Sequence, residues 1–90
     1  MVLGEVESIV SYYLQSSGSK LAAGFADEFL QRVSGAAERP WIYAIQKKGL
    51  RRVNLRRFPY NFLFLVDDAE VLVTAVRHNS RHPSYGVGRR

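Results

Sequence analysis

Cysteine is missing from this chain, so neither a disulfide framework nor a thiolate metal site can form. Histidine is scarce: His78 and His82 are the two present, with few carboxylates beside them, and a buried zinc site is not expected. Long apolar runs are also lacking, the longest extending about six residues against the roughly 20 that cross a bilayer. The first residues carry Glu5 and Glu7 where a secretory leader would place basic residues ahead of an apolar stretch, so no signal peptide is expected. No internal repeat or low-complexity tract interrupts the chain. These absences lead to the expectation of a soluble cytoplasmic protein with no metal, no cofactor and no membrane partner.

What is present points to one small folded domain. The 90 residues suffice for a single core, and 47% hydrophobic with 12% aromatic residues argues against a disordered chain. A core of this size buries a modest share of the chain's surface, so partners would add to its stability. The charge is lopsided. Residues 1–45 carry Lys20, Arg32 and Arg39 against Glu5, Glu7, Asp27, Glu28 and Glu38, a net −2. Residues 46–90 carry ten Lys or Arg against Asp67, Asp68 and Glu70, a net +7. A basic half favours polyanions or an acidic protein partner, although a merely soluble surface is the bland alternative.

Hydrophobic spacing divides the chain into helices and strands. Val6, Ile9, Val10 and Tyr13 recur along one helical face. Ser16-Ser17-Gly18-Ser19 breaks that helix and offers a turn and a new cap. Ala22, Phe25, Ala26, Phe29, Leu30 and Val33 form a second stripe ending near Gly35, with Asp27, Glu28, Gln31 and Arg32 assigned to its polar face. So short a link predicts an antiparallel helical hairpin. Pro40-Trp41 marks the change to extended chain. Trp41 and Tyr43 have two readings, as covers for the core or as platforms for a base.

After the turn signal Lys47-Lys48-Gly49 the period becomes two. Val53 and Leu55 point one way, while Arg52, Asn54 and Arg56 form a basic outer row. Pro59 belongs at a strand start or an edge because it cannot donate to a ladder. Asn61 to Val66 reads as a strand, Asp67 to Glu70 as its turn and Val71 to Val76 as the return strand. The return strand is apolar on both faces, which predicts a central position. The whole reads as an α+β domain: a helical hairpin (residues 4–38) on a three-stranded antiparallel sheet (41–78), with a basic tail (79–90).

The most informative stretch runs from Arg57 to Tyr85. Arg57-Phe58-Pro59-Tyr60 opens it, and Val76-Arg77-His78 followed by Arg81, Pro83 and Tyr85 closes it. With helices and strands in this order, the chain resembles the RelE/ParE toxins, the growth-inhibiting halves of bacterial type II toxin–antitoxin pairs. Members of the ParE branch often begin one strand with phenylalanine-proline-tyrosine and end the next with spaced valine, histidine, arginine and proline. The resemblance covers nearly the whole chain. It implies a ParE-like growth inhibitor acting on DNA gyrase, associated with plasmid stabilization and neutralised by a cognate acidic antitoxin. Family members usually place a strand before the first helix, and Met1-Val2-Leu3 leaves little room for one. An exposed sheet edge is then expected, open to a second copy of the chain or to an antitoxin segment.

The RelE branch implies a different activity, ribosome-dependent cleavage of mRNA. Attack by a 2′-hydroxyl needs a base, an acid and cations around the crowded phosphorane. The resemblance offers Arg57, Arg77, His78, Arg81 and Tyr85 for that chemistry: His78, like His82, for proton exchange, the arginines for phosphate, Tyr85 for base stacking. The usual arginine at the end of the last strand falls on Asn79, so the apparatus is incomplete. Arg51, Arg52, Arg56, Tyr60, Arg81 and Tyr85 are the expected contacts to a partner protein or nucleic acid. The plain alternatives are that His78 bonds a backbone group, that His82 is solvated, and that Arg56 and Arg57 dock antitoxin carboxylates. A third possibility is a non-toxic remnant that binds only its antitoxin.

Overall fold

A computed structural model of the chain describes residues 3–80. Helix α1 (Leu3–Ser17) and helix α2 (Ser19–Glu38) are joined by one residue, Gly18. Its φ of 95° and ψ of 174° lie in a region open essentially to glycine alone. The Gly18 N–H donates to the Tyr13 carbonyl at 2.9 Å, turning the chain back so that the helices pack side by side. The stripe of α1 holds: Val6, Ile9 and Val10 are partly buried and Tyr13 is buried.

Three strands follow: β1 (Arg51–Asn54), β2 (Tyr60–Asp67) and β3 (Glu70–His78), forming one antiparallel sheet in the order β1-β2-β3. Two short 3-10 turns, Pro40–Ile42 and Lys47–Gly49, precede β1. Lys48 (φ 58°) and Gly49 (φ 74°) both take the left-handed conformation, at the turn expected from Lys47-Lys48-Gly49. The β2–β3 hairpin turns through Asp68 and Ala69, with φ of 48° and 66°. Positive φ at both positions matches the right-handed twist of the strands.

The helices cover one face of the sheet. Phe29 and Ala36 meet Val53, Phe62, Phe64, Val73 and Val76 in one cluster. Tyr13, Ala22 and Phe25 meet Leu55 and Phe58 in a second. The Phe25 ring lies 5.4 Å from Phe58 and 6.3 Å from Phe29, linking the two. Leu50, Leu63 and Ala75 form a separate buried group, with Leu63 and Ala75 as strand partners. The architecture is the expected α+β one, two helices on a three-stranded antiparallel sheet.

Four expectations change. The return strand β3 lies at an edge and β2 takes the centre. Register between these strands shifts at Leu63/Phe64, where β3 carries an extra residue. Val71 and Val73 before that shift, and Val76 after it, all pack against the helix-side cluster. The opposite face still carries buried Ala75 and half-exposed Leu72, so β3 is apolar on both faces without being central. Leu30 leaves the α2 stripe and is 63% exposed, whereas Glu28, assigned to the polar face, is buried. The sheet, expected from residue 41, begins at Arg51 after the two 3-10 turns, while helix α2 ends at the expected Glu38, where the Arg39 N–H bonds the Gly35 carbonyl. Trp41 covers no core, being 68% exposed; Tyr43 does so, its ring 6.0 Å from that of Phe64.

Candidate functional site

Strand β2 starts at Tyr60 and strand β3 ends at His78, so antiparallel pairing makes them partners at one corner of the sheet. Their rings meet edge to face at 5.1 Å. Just outside the ladder the Asn79 N–H donates to the Pro59 carbonyl at 2.9 Å. Proline here ends a loop and opens β2, as its missing donor requires. Arg57-Phe58-Pro59-Tyr60 and Val76-Arg77-His78 therefore stand side by side in space.

A cleft of about 470 Å³ opens at this corner, between the first turns of α1 and the end of β3, with Glu5, Ser8, Tyr60 and His78 along it. The fold itself engages several of its polar groups. Glu5 Oε2 accepts the Val76 N–H at 3.1 Å, covering one amide of the β3 edge. Ser8 Oγ donates to the Gly4 carbonyl at 2.9 Å. His78 Nδ1 accepts the Ser80 N–H at 3.1 Å and lies 2.8 Å from Ser80 Oγ. A ring nitrogen that accepts a backbone N–H carries no proton, so the neutral imidazole here has its hydrogen on Nε2. The backbone-bonded reading of His78 is the one the geometry realises.

Comparison of the chain with protein-family models, curated proteins and solved structures found no match in any of the three. Function is read from the residues.

Arg77 lies on the sheet face opposite Val76, buried at 4% exposure, and donates from Nε to Asn61 Oδ1 at 2.7 Å. Asn61, equally buried, donates in turn to Asn79 Oδ1 at 2.8 Å. Asn79, where the ribonuclease pattern would have arginine, thus joins the chain that fixes Arg77. Burial, then the nearby positive charge of Arg52, lowers the Arg77 pKa from its ordinary value.

The remaining arginines divide into two groups. On β1, Arg51 donates to the Tyr43 carbonyl at 2.6 Å and Arg52 Nε to Asn54 Oδ1 at 2.9 Å. In the β1–β2 loop, Arg56 and Arg57 flank a second cleft of about 400 Å³ with Gln31, Arg32 and Glu28 of α2. The Glu28 carboxylate accepts the backbone N–H of Arg56, and that of Arg57 at 3.1 Å. It also pairs with Arg57 Nε at 3.3 Å. Burial raises the Glu28 pKa, but the two backbone N–H groups and the Arg57 side chain lower it, and the net direction is down.

Glu28 and Glu5 are the site residues that sequence reasoning missed. Glu28 follows Phe25 by three positions and precedes Phe29, so its place on the buried stripe was visible in the spacing. Glu5 adjoins Val6 in the same manner. Arg81, His82 and Tyr85 lie outside the described residues. Among the described residues no helix is long and apolar enough to cross a membrane, and no three His, Asp or Glu side chains gather as metal ligands.

Proposed function

We propose that this chain acts as the growth-inhibiting member of a type II toxin–antitoxin pair, in the manner of ParE, by binding DNA gyrase. An acidic partner protein neutralises it. The observation that carries this reading is the pairing of Tyr60 with His78. It sets Phe58-Pro59-Tyr60, one of the patterns on which the family resemblance rests, beside Val76-Arg77-His78, the described part of the other. The helical hairpin over an antiparallel sheet supports it as well. So does the net +7 of residues 46–90, which suits an acidic partner.

Binding is favoured over catalysis because the corner's groups hold the fold together. His78 Nδ1 takes a backbone N–H, and Arg77 is buried with its Nε on Asn61. A phosphate clamp at His78 needs accessible guanidinium groups beside it; Arg77 is buried, and the exposed Arg57 opens onto the other cleft, with Arg32 and Arg56.

The test is a supercoiling assay with purified gyrase, ATP and relaxed plasmid. Addition of the protein is expected to lower supercoiling and to leave cleaved plasmid trapped on the enzyme after denaturation. Unchanged supercoiling with excess protein sinks the proposal. Message cuts on translating ribosomes, lost in Arg81→Ala or Tyr85→Phe, would replace it with a RelE-like activity.

A further inference from the structure

The cleft between α2 and the β1–β2 loop has a property that the toxin reading does not require. Two of its guanidinium groups are held from behind. Arg57 Nε is fixed on Glu28 Oε1, and its Cζ lies 5.9 Å from the Phe58 ring centroid. Arg32 Nε is fixed on the Asn54 carbonyl at 3.3 Å. In both cases Nε is the anchored atom, and the terminal nitrogens have no hydrogen-bond partner among the described residues. Arg56 stands beside them exposed, its side chain likewise without a partner among the described residues. The Arg57 side chain is 68% exposed although its position is fixed. An arginine anchored at Nε keeps a fork of donors in place, and its rotamer entropy is lost before any ligand arrives.

We propose that Arg32, Arg56 and Arg57 form a receptor for paired carboxylates on an acidic peptide, with Glu28 as the positioning residue that aims Arg57. The proposal rests on the toxin reading only for the natural source of that peptide. A nucleic-acid strand is the less suitable occupant. It needs an extended basic track with exposed aromatic rings, whereas the arginines occupy one cleft and Phe58 is buried. Glu28 offsets one of the three positive charges and leaves the cleft net positive.

The experiment is titration of the full chain with an oligo-glutamate peptide, with its glutamine counterpart, a single-stranded oligonucleotide and inorganic phosphate as comparison probes. The oligo-glutamate is expected to bind, more weakly as salt rises, and the glutamine peptide is not. Arg32→Gln and Arg57→Gln should each weaken binding about tenfold. Arg57→Lys should weaken it nearly as much, because charge is kept and the fork is lost. Glu28→Gln is the sharpest variant, checked first for a folded circular-dichroism spectrum. A charge-only surface would bind the peptide more tightly once a negative charge is gone, and the proposal expects weaker binding. Wild-type affinity in Arg57→Lys, tighter binding in a folded Glu28→Gln, or preference for the oligonucleotide or free phosphate over the peptide overturns it. Gyrase and growth play no part in this titration, so its failure and that of the toxin reading are told apart.

Discussion

A carboxylate taken out of water costs several kcal/mol unless its oxygens are bonded again, and Glu28 bonds both of its oxygens to the β1–β2 loop. The consequence is a stability term with a definite sign. Burial acts to raise the Glu28 pKa, but the Arg56 and Arg57 groups bring it below the ordinary value of 4.5. The unfolded chain therefore binds the proton more readily, and the contribution of Glu28 is fully present above the ordinary carboxylate range. It is lost as pH falls through the lowered folded value. Urea unfolding should show the midpoint dropping on acidification below that range. Glu28→Gln should flatten this part of the profile and cost about 2 kcal/mol at neutral pH. Two glycines give a second test, because the same substitution should act with opposite sign. Gly18 has a φ of 95°, so Gly18→Ala should destabilise by about 1–3 kcal/mol through backbone strain alone, its added Cβ meeting nothing within 4 Å. Gly35 is inside α2 with equally open space, so Gly35→Ala should stabilise by about 0.5–1 kcal/mol. Melting temperatures of the two variants should move apart.

At the scale of elements, what was legible followed from local rules. The stripes of Val6–Tyr13 and Ala22–Phe29 announced two helices, Gly18 their link, and Asp67 to Glu70 the β2–β3 turn. The order of strands in the sheet was misread because periodicity assumes an unbroken pleat. The register shift at Leu63/Phe64 keeps Val71, Val73 and Val76 on the helix side while Ala75 is buried on the other, so an edge strand carries the two-sided apolar pattern of a central one. That Phe58-Pro59-Tyr60 and Val76-Arg77-His78 meet at one sheet end was legible from the hairpin, but the Tyr60–His78 pairing was not: the turn alone would set Tyr60 against Arg77, and the shift at Leu63/Phe64 moves it to His78. The arginine cleft was not legible, because Glu28 and Arg32 reach the loop and β1 across 22 to 29 residues of chain, and no local pattern reports such contacts. The β3 edge gives this scale its prediction. Glu5 holds the Val76 N–H that an added strand would otherwise use. In Glu5→Ala the Val76 amide should exchange with solvent markedly faster, while amides at the centre of β2 keep their protection. Unchanged exchange at Val76 would remove Glu5 from its role at this edge.

The whole molecule is electrically divided, with net −2 over residues 1–45 and +7 over residues 46–90. Chain folding does not keep the halves apart. Arg32 of the acidic half joins Arg56 and Arg57, and Glu28 and Glu5 are drawn onto the loop and the sheet edge. The surface that results has a basic cleft at one place and the Tyr60–His78 corner at another. Association with an acidic partner should accordingly weaken with rising ionic strength, through a slower on-rate more than a faster off-rate. Growth inhibition is the central claim, and it has one direct measurement: the growth of a bacterial culture after induced expression of this chain alone. Arrest soon after induction, relieved by co-expression of a small acidic partner that binds the chain, is the predicted result. An induced culture that accumulates the folded protein and grows at the uninduced rate would contradict it.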